Sequence, residues 1–198
     1  MVREIFMKNK KIEEELYFTG QLLIAMPGMI DERFYKTVIY ICAHSEDGAM
    51  GLILNHVMAG ISFQELLEQL EIEEIPTSMD LPIHFGGPVE VGRGFVLHTN
   101  DFKQEGTIEV DENIFLTATM DILKAIAKGD GPRKSLLALG YAGWSPGQLD
   151  EEIRANGWLQ APADNELLFG SDQKSKWEKS IAKIGINPVM LSGQAGHA

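Results

Sequence analysis

Few basic residues, one cysteine and no long apolar run are the first things this sequence shows. Lys and Arg number 17 against 29 Asp and Glu, a net charge of −12. Nucleic-acid binding depends mainly on neutralising phosphates, so this balance counts against direct DNA or RNA contact. A single thiol, Cys42, excludes an internal disulfide and suits a reducing compartment, hence a cytoplasmic setting. No stretch approaches the ~20 apolar residues that span a bilayer, so a membrane role is not expected. The chain lacks a Walker loop and a dinucleotide fingerprint, which leaves nucleotide binding unsupported; residues 143–147 (GWSPG) have Gly-x-Ser-x-Gly spacing, but Ser145 already has a helix-capping role, which leaves serine hydrolysis unsupported.

What is present is ordinary for a soluble globular chain of 198 residues, 44% hydrophobic and 23% charged. Residues 1–18 read as a helical or disordered arm, and 19–198 as a single domain. Six acidic residues between Glu65 and Asp80, with no Lys or Arg among them, read as a solvated face and loop.

The stretch 38–55 (VIYICAHSEDGAMGLILN) organises the chain. Two β-rich apolar runs flank Asp47-Gly48, a hairpin signal because Gly accepts positive φ. An even loop places Thr37, Ile39, Ile41 and Ala43 on one face with Met50, Leu52, Leu54 and His56. Val38, Tyr40, Cys42 and His44 then share the other with Ala49, Gly51, Ile53 and Asn55. The first face is expected to be core, the second a polar cluster beside the thiol.

Strands are expected over 20–26, 94–99, 135–141, 158–159 and 166–169, with one or two within 108–115. A short helical turn is expected at 31–35. Helices are expected over 62–70, where Ser62 and Glu65 write a capping box, and over 117–128, stopped by Gly129. A third spans 145–156, with Ser145 as N-cap and Gln148 at N3, and a fourth spans 172–184. Strands and helices mix without a βαβ beat, which gives an α+β class.

Several stretches resemble one family, the bacterial YqgE/AlgH proteins. They are 22–29 (LLIAMPGM) with Asp31 and Phe34, the 38–55 hairpin, 85–89 (FGGPV), 93–98 (RGFVLH), 140–144 (GYAGW), 147–149 and Trp158-Leu159. The resemblance implies mainly antiparallel sheets curled into a partly open, barrel-like core with helices outside. Members are uncharacterised cytosolic proteins, one branch of which carries the label of transcriptional regulator. No catalytic residue is established for the family, so none transfers.

Candidate chemistry is sparse. Cys42 and His44, two apart on one strand, would make a nucleophile or redox sensor if the imidazole lowered the thiol pKa. Asn55 would orient His44, or else cap a strand end. Gly86, Gly87, Gly92 and Gly94 with Arg93 would form an anion-binding nest, or else two tight turns with Arg93 paired to Glu90. His44, His56, His84 and His98 lack the companions of a metal site and read as sheet histidines. Tyr141 and Trp144 line an aromatic pocket or join the core.

The reading that follows leans to a non-enzymatic regulatory protein acting through a protein partner or small ligand, without cofactor or metal. Its candidate cleft comprises Cys42, His44, Asn55, Gly86, Gly87, Arg93 and Trp144. The alternative is a thiol-based redox sensor or enzyme centred on Cys42 and His44.

Overall fold

The computed structural model describes residues 17–72 and 81–187. Most of the N-terminal arm, most of the acidic loop and the last eleven residues lie outside them. Nine strands form one sheet: β1 (Gln21–Ala25), β2 (Val38–Ser45), β3 (Gly48–Ile53), β4 (Ile83–Phe85), β5 (Val89–Thr99), β6 (Thr107–Glu109), β7 (Ile114–Thr117), β8 (Ser135–Trp144) and β9 (Trp158–Pro162). Their order is β6-β7-β5-β8-β3-β2-β1-β9 with β4 paired to β8. All pairings are antiparallel except β4 with β8. The sheet curls into a half-barrel. Five helices flank it: α1 (Phe63–Gln69), α2 (Met120–Lys128), α3 (Gln148–Arg154), α4 (Asn165–Phe169) and α5 (Lys176–Lys183). This is the expected α+β architecture. None of these helices is long and apolar enough to cross a membrane.

Both faces of the sheet are buried, which is why β1 reads as an unbroken apolar run. Leu22 and Ile24 join one cluster with Tyr40, Cys42, Leu52 and Trp177. Leu23 and Ala25 join another with Ile39, Ile53, Trp144 and Trp158. A third cluster lies under α1 and α2, around Leu67, Ile122 and Leu137.

The central hairpin forms, with Ser45 paired to Gly48 and His44 to Ala49. Its tip therefore has the expected even parity. Farther in, Ile41 pairs with Gly51 while Ala43 pairs with Met50, so Cys42 is an extra residue in β2. Such a bulge flips the sidedness beyond it. Ile39 and Ile41 consequently share a face with Ile53, and Tyr40 shares one with Leu52. The expected grouping of Ile39 with Leu52, and of Cys42 with His44, is corrected accordingly.

Local signals fare unevenly. The capping box of Ser62 and Glu65 forms in both directions, and Gly129 closes α2 at φ 83°. At α3 the Gln148 side chain accepts from the Ser145 amide as expected, but the helix begins only at Gln148, after Gly147 at φ 72°. Residues 166–169, expected as a strand, are helical because the Asp164 carboxylate accepts from the Glu166 and Leu167 amides and starts α4.

Two glycines of the 85–94 stretch, Gly86 and Gly87, serve close backbone approach. A Cβ on Gly86 would lie 2.2 Å from Gly140 O, and one on Gly87 would lie 2.1 Å from Tyr141 C. At Gly92 nothing lies within 4 Å. Gly86→Ala is expected to cost about 2–3 kcal/mol in urea unfolding, by overpacking against β8. Gly92→Ala is expected to stay within about 0.5 kcal/mol.

Candidate functional site

Three stretches that are distant in sequence, 26–34, 88–89 and 143–158, converge on one cleft of about 680 Å³. The loop after β1 supplies Met26, Met29 and Ile30, and the turn at Glu32–Phe34 supplies Phe34. Pro88 comes from the β4–β5 connection, Val89 from the start of β5, Trp144 from the end of β8, Gln148 and Glu152 from α3, and Trp158 from β9. The loop is fixed by its backbone: the Met26 amide donates to Gly157 O and the Met29 amide to Met26 O. Asp31 starts the following turn, accepting from the Arg33 amide and from its guanidinium at 2.6–3.1 Å. That pair holds the Asp31 carboxyl below the usual carboxylate range.

The floor is aromatic. Trp144 and Trp158 meet edge to face at 6.0 Å between centroids, and Phe34 meets Trp158 likewise at 5.7 Å. One carboxylate oxygen of Glu152 accepts from both indoles, at 2.9 Å from Trp144 Nε1 and 2.8 Å from Trp158 Nε1. The other oxygen accepts from Gln148 Nε2 at 2.9 Å. Buried indole N–H groups need such an acceptor. Glu152 is thereby occupied by three donors and fixes two rings rather than standing free as a base. At the lip Ile30 is 97% exposed, an apolar side chain with almost no cover. A second groove of about 600 Å³ shares Val89, Gly143 and Trp144 with this cleft and is bordered by Arg93, Phe95, Ile108 and Tyr141.

The residues singled out from the sequence scatter. Trp144 lies in the cleft. Arg93 borders the neighbouring groove, where its guanidinium pairs with Glu90 at 3.1 Å and lies over the Phe95 ring. Gly86 and Gly87 are buried against β8. The Asn55 side chain holds the start of β2, accepting from the Val38 amide and donating to Lys36 O. Cys42 is 4% exposed, and burial pushes its thiol pKa up, away from thiolate. His44 lies on the opposite side of the sheet from it. Its ring stacks on Phe18 at 5.3 Å and meets the edge of Tyr17. Nδ1 accepts from the Phe18 amide at 3.1 Å, so the proton sits on Nε2, which faces Asp150 at 3.6 Å.

The other histidines are separate. His98 bridges Thr99 O and Thr117 Oγ1, and His84 Nδ1 donates to Leu137 O. Among the described residues no three His, Cys, Asp or Glu side chains gather as a metal site would require. Residue-type reasoning missed Met26, Met29, Ile30, Phe34, Glu152 and Trp158 as a group. The signal was in the sequence all the same: most of the segments that carry the family resemblance are the ones that meet here.

A curled, mainly antiparallel half-barrel with five outer helices defines the class: an α+β fold with an aromatic-floored cleft. The chain belongs to the AlgH-like family (DUF179), whose sequence model matches residues 22–189. A UPF0301 protein of Rhodopseudomonas palustris (strain HaA2) is 56% identical over 195 residues, covering 94% of this chain and 89% of that protein. A UPF0301 protein of Rhodospirillum rubrum is 52% identical over 186 residues, covering 94% and 97%. The solution structure of the AlgH protein from Pseudomonas aeruginosa superposes with a TM-score of 0.75 at 43% identity, over 92% of this chain and 96% of that one. A crystal structure from Corynebacterium diphtheriae, at 20% identity and TM-score 0.68, covers 87% and 90% and shares the fold.

Two measurements check this geometry. Native Cys42 is expected to resist alkylation at neutral pH and to react fully once urea unfolds the chain; rapid native labelling would contradict its burial. For His44, burial lowers the pKa despite the nearby Asp150. The unfolded chain therefore takes up the proton first, and stability present above about pH 6.5 is lost as pH falls through the lower folded value. Protonated Nδ1 no longer accepts from Phe18, so amide exchange at Phe18 is expected to accelerate at acid pH, and His44→Gln to remove that dependence.

Proposed function

We propose that this protein is a non-catalytic cytoplasmic regulator that works by binding a partner protein's apolar side chain in the Met26–Trp158 cleft. One observation carries the reading. Most of the segments that carry the resemblance meet around a cleft whose two carboxylates are already engaged. Asp31 is taken by Arg33, and Glu152 by two indoles and Gln148. Much of what remains for a ligand is methionine, isoleucine and aromatic surface, the chemistry of an interface anchor pocket. Met adapts its shape to what it meets, and a bare Ile30 at the lip adds contact area.

The thiol-based alternative draws less support. Cys42 is buried, its pKa is raised, and His44 faces away from it. With a net charge of −12, regulation through a protein partner fits better than contact with DNA. The single thiol fits a reducing cytoplasm.

Methyl-labelled methionine and indole N–H spectra test the proposal. Titration with a panel of short apolar peptides is expected to shift Met26, Met29, Trp144 and Trp158 together. Ile30→Asp is expected to weaken binding at least tenfold while leaving the melting temperature within a few degrees. Shifts confined to the Arg93 groove, or none from any peptide, would overturn it.

A further inference from the structure

Two glycines of β5 have no backbone reason to be glycine. A Cβ on Gly86, Gly87 or Gly140 would lie within 2.4 Å of another backbone atom. A Cβ on Gly94 would meet only methyl carbons of Leu139 and Leu137, at 3.9 and 4.0 Å, and one on Gly92 nothing within 4 Å. Neither residue has positive φ. What they supply is the absence of a side chain. Both line a hollow of about 170 Å³ between the sheet and the helices α1 and α2.

The backbone beside these glycines is irregular too. Between the pairs Val89–Tyr141 and Gly94–Leu139, β5 sets residues 90–93 against Gly140 alone, and Glu90 takes φ 47°. A residue other than glycine in that region is strained, and bulges of this kind concentrate beside functional sites. Leu66 and Leu123 wall the hollow from the helices, Val96 and Leu137 from the sheet, and the half-exposed Met120 marks its mouth. No charged side chain lines it among the described residues. Its two threonine hydroxyls are engaged, Thr117 Oγ1 with His98 Nε2 and Thr107 Oγ1, and Thr119 Oγ1 with the Gln104 amide, which donates to it. The hollow shares no lining residue with the Met26–Trp158 cleft.

We propose that this hollow is a binding site for one small, neutral, hydrocarbon-like molecule about the size of a single aromatic ring. Its walls select the class. A charged group would give up its hydration without gaining a partner, and a polar one would find both hydroxyls taken. An apolar cavity of about 150 Å³ stays dry and accepts benzene or xenon, which sets the size. Gly92 and Gly94 keep the space open where any other residue would begin to fill it.

Benzene titrated into the protein tests this, with benzoate as a charged ring of similar size. Benzene is expected to shift the methyl signals of Leu66, Val96, Leu123 and Leu137 saturably, and benzoate to leave them in place. Gly94→Val is expected to weaken benzene binding about tenfold or more by taking up the space, with the melting temperature unchanged or raised. Independently of that variant, a crystal under xenon pressure is expected to hold one xenon between Leu66 and Leu137. Equal shifts from benzoate, undiminished benzene binding in Gly94→Val, or a hollow without xenon would each overturn the assignment. So would apolar peptides that move these methyls where benzene does not, since the hollow would then be a protein-anchor site.

Discussion

One extra residue in β2 decides how this molecule is put together. Because Cys42 has no partner in β3, the strand changes sides at that point. Tyr40 and Leu52 go to one layer, Ile39 and Ile53 to the other. A sheet buried on both faces tolerates no slip, since a shift of one residue would exchange the two apolar sets wholesale. The bulge also separates the thiol from His44, which is left to hold Phe18 instead. Tyr40, set by the same register, donates to Asp111 at 2.6 Å and ties the central ribbon to the β6–β7 turn. The curl of the half-barrel is secured there.

Close packing on both faces explains several glycines as well. Gly86, Gly87 and Gly140 lie where the β4–β5 connection crosses β8, with no room for a Cβ. Their density reflects backbone meeting backbone, and Arg93 has a carboxylate neighbour of its own in Glu90. The same connection delivers Pro88 to the cleft. Structural tightness on one side of the turn and an open apolar surface on the other are two results of one crossing.

In the cleft, polar groups position apolar ones. Glu152 is the pivot: a single carboxylate oxygen orients two indoles whose side chains arrive from β8 and β9. Two buried donors sharing one charged acceptor resist rotation more than either would alone. The outcome is a rigid aromatic floor beneath a Met-lined lip, which suits recognition of an apolar anchor at little entropic cost.

Much of this was legible in advance because it is local. Asp47-Gly48 marked the hairpin, Ser62 and Glu65 the start of α1, and Gly129 the end of α2. These signals act within a few residues, where backbone preference and side-chain hydrogen bonds suffice. The capping Asp164 was equally local, yet apolar residues 167–169 read as a strand because so short a run has no decisive period. What only the tertiary structure decided is sidedness and convergence. Whether Cys42 faces His44 depends on an unpaired residue that the partner strand imposes. Whether Met26, Glu152 and Trp158 meet depends on which strands become neighbours. Both follow from packing the two faces of one sheet at once, a constraint that links residues more than a hundred positions apart.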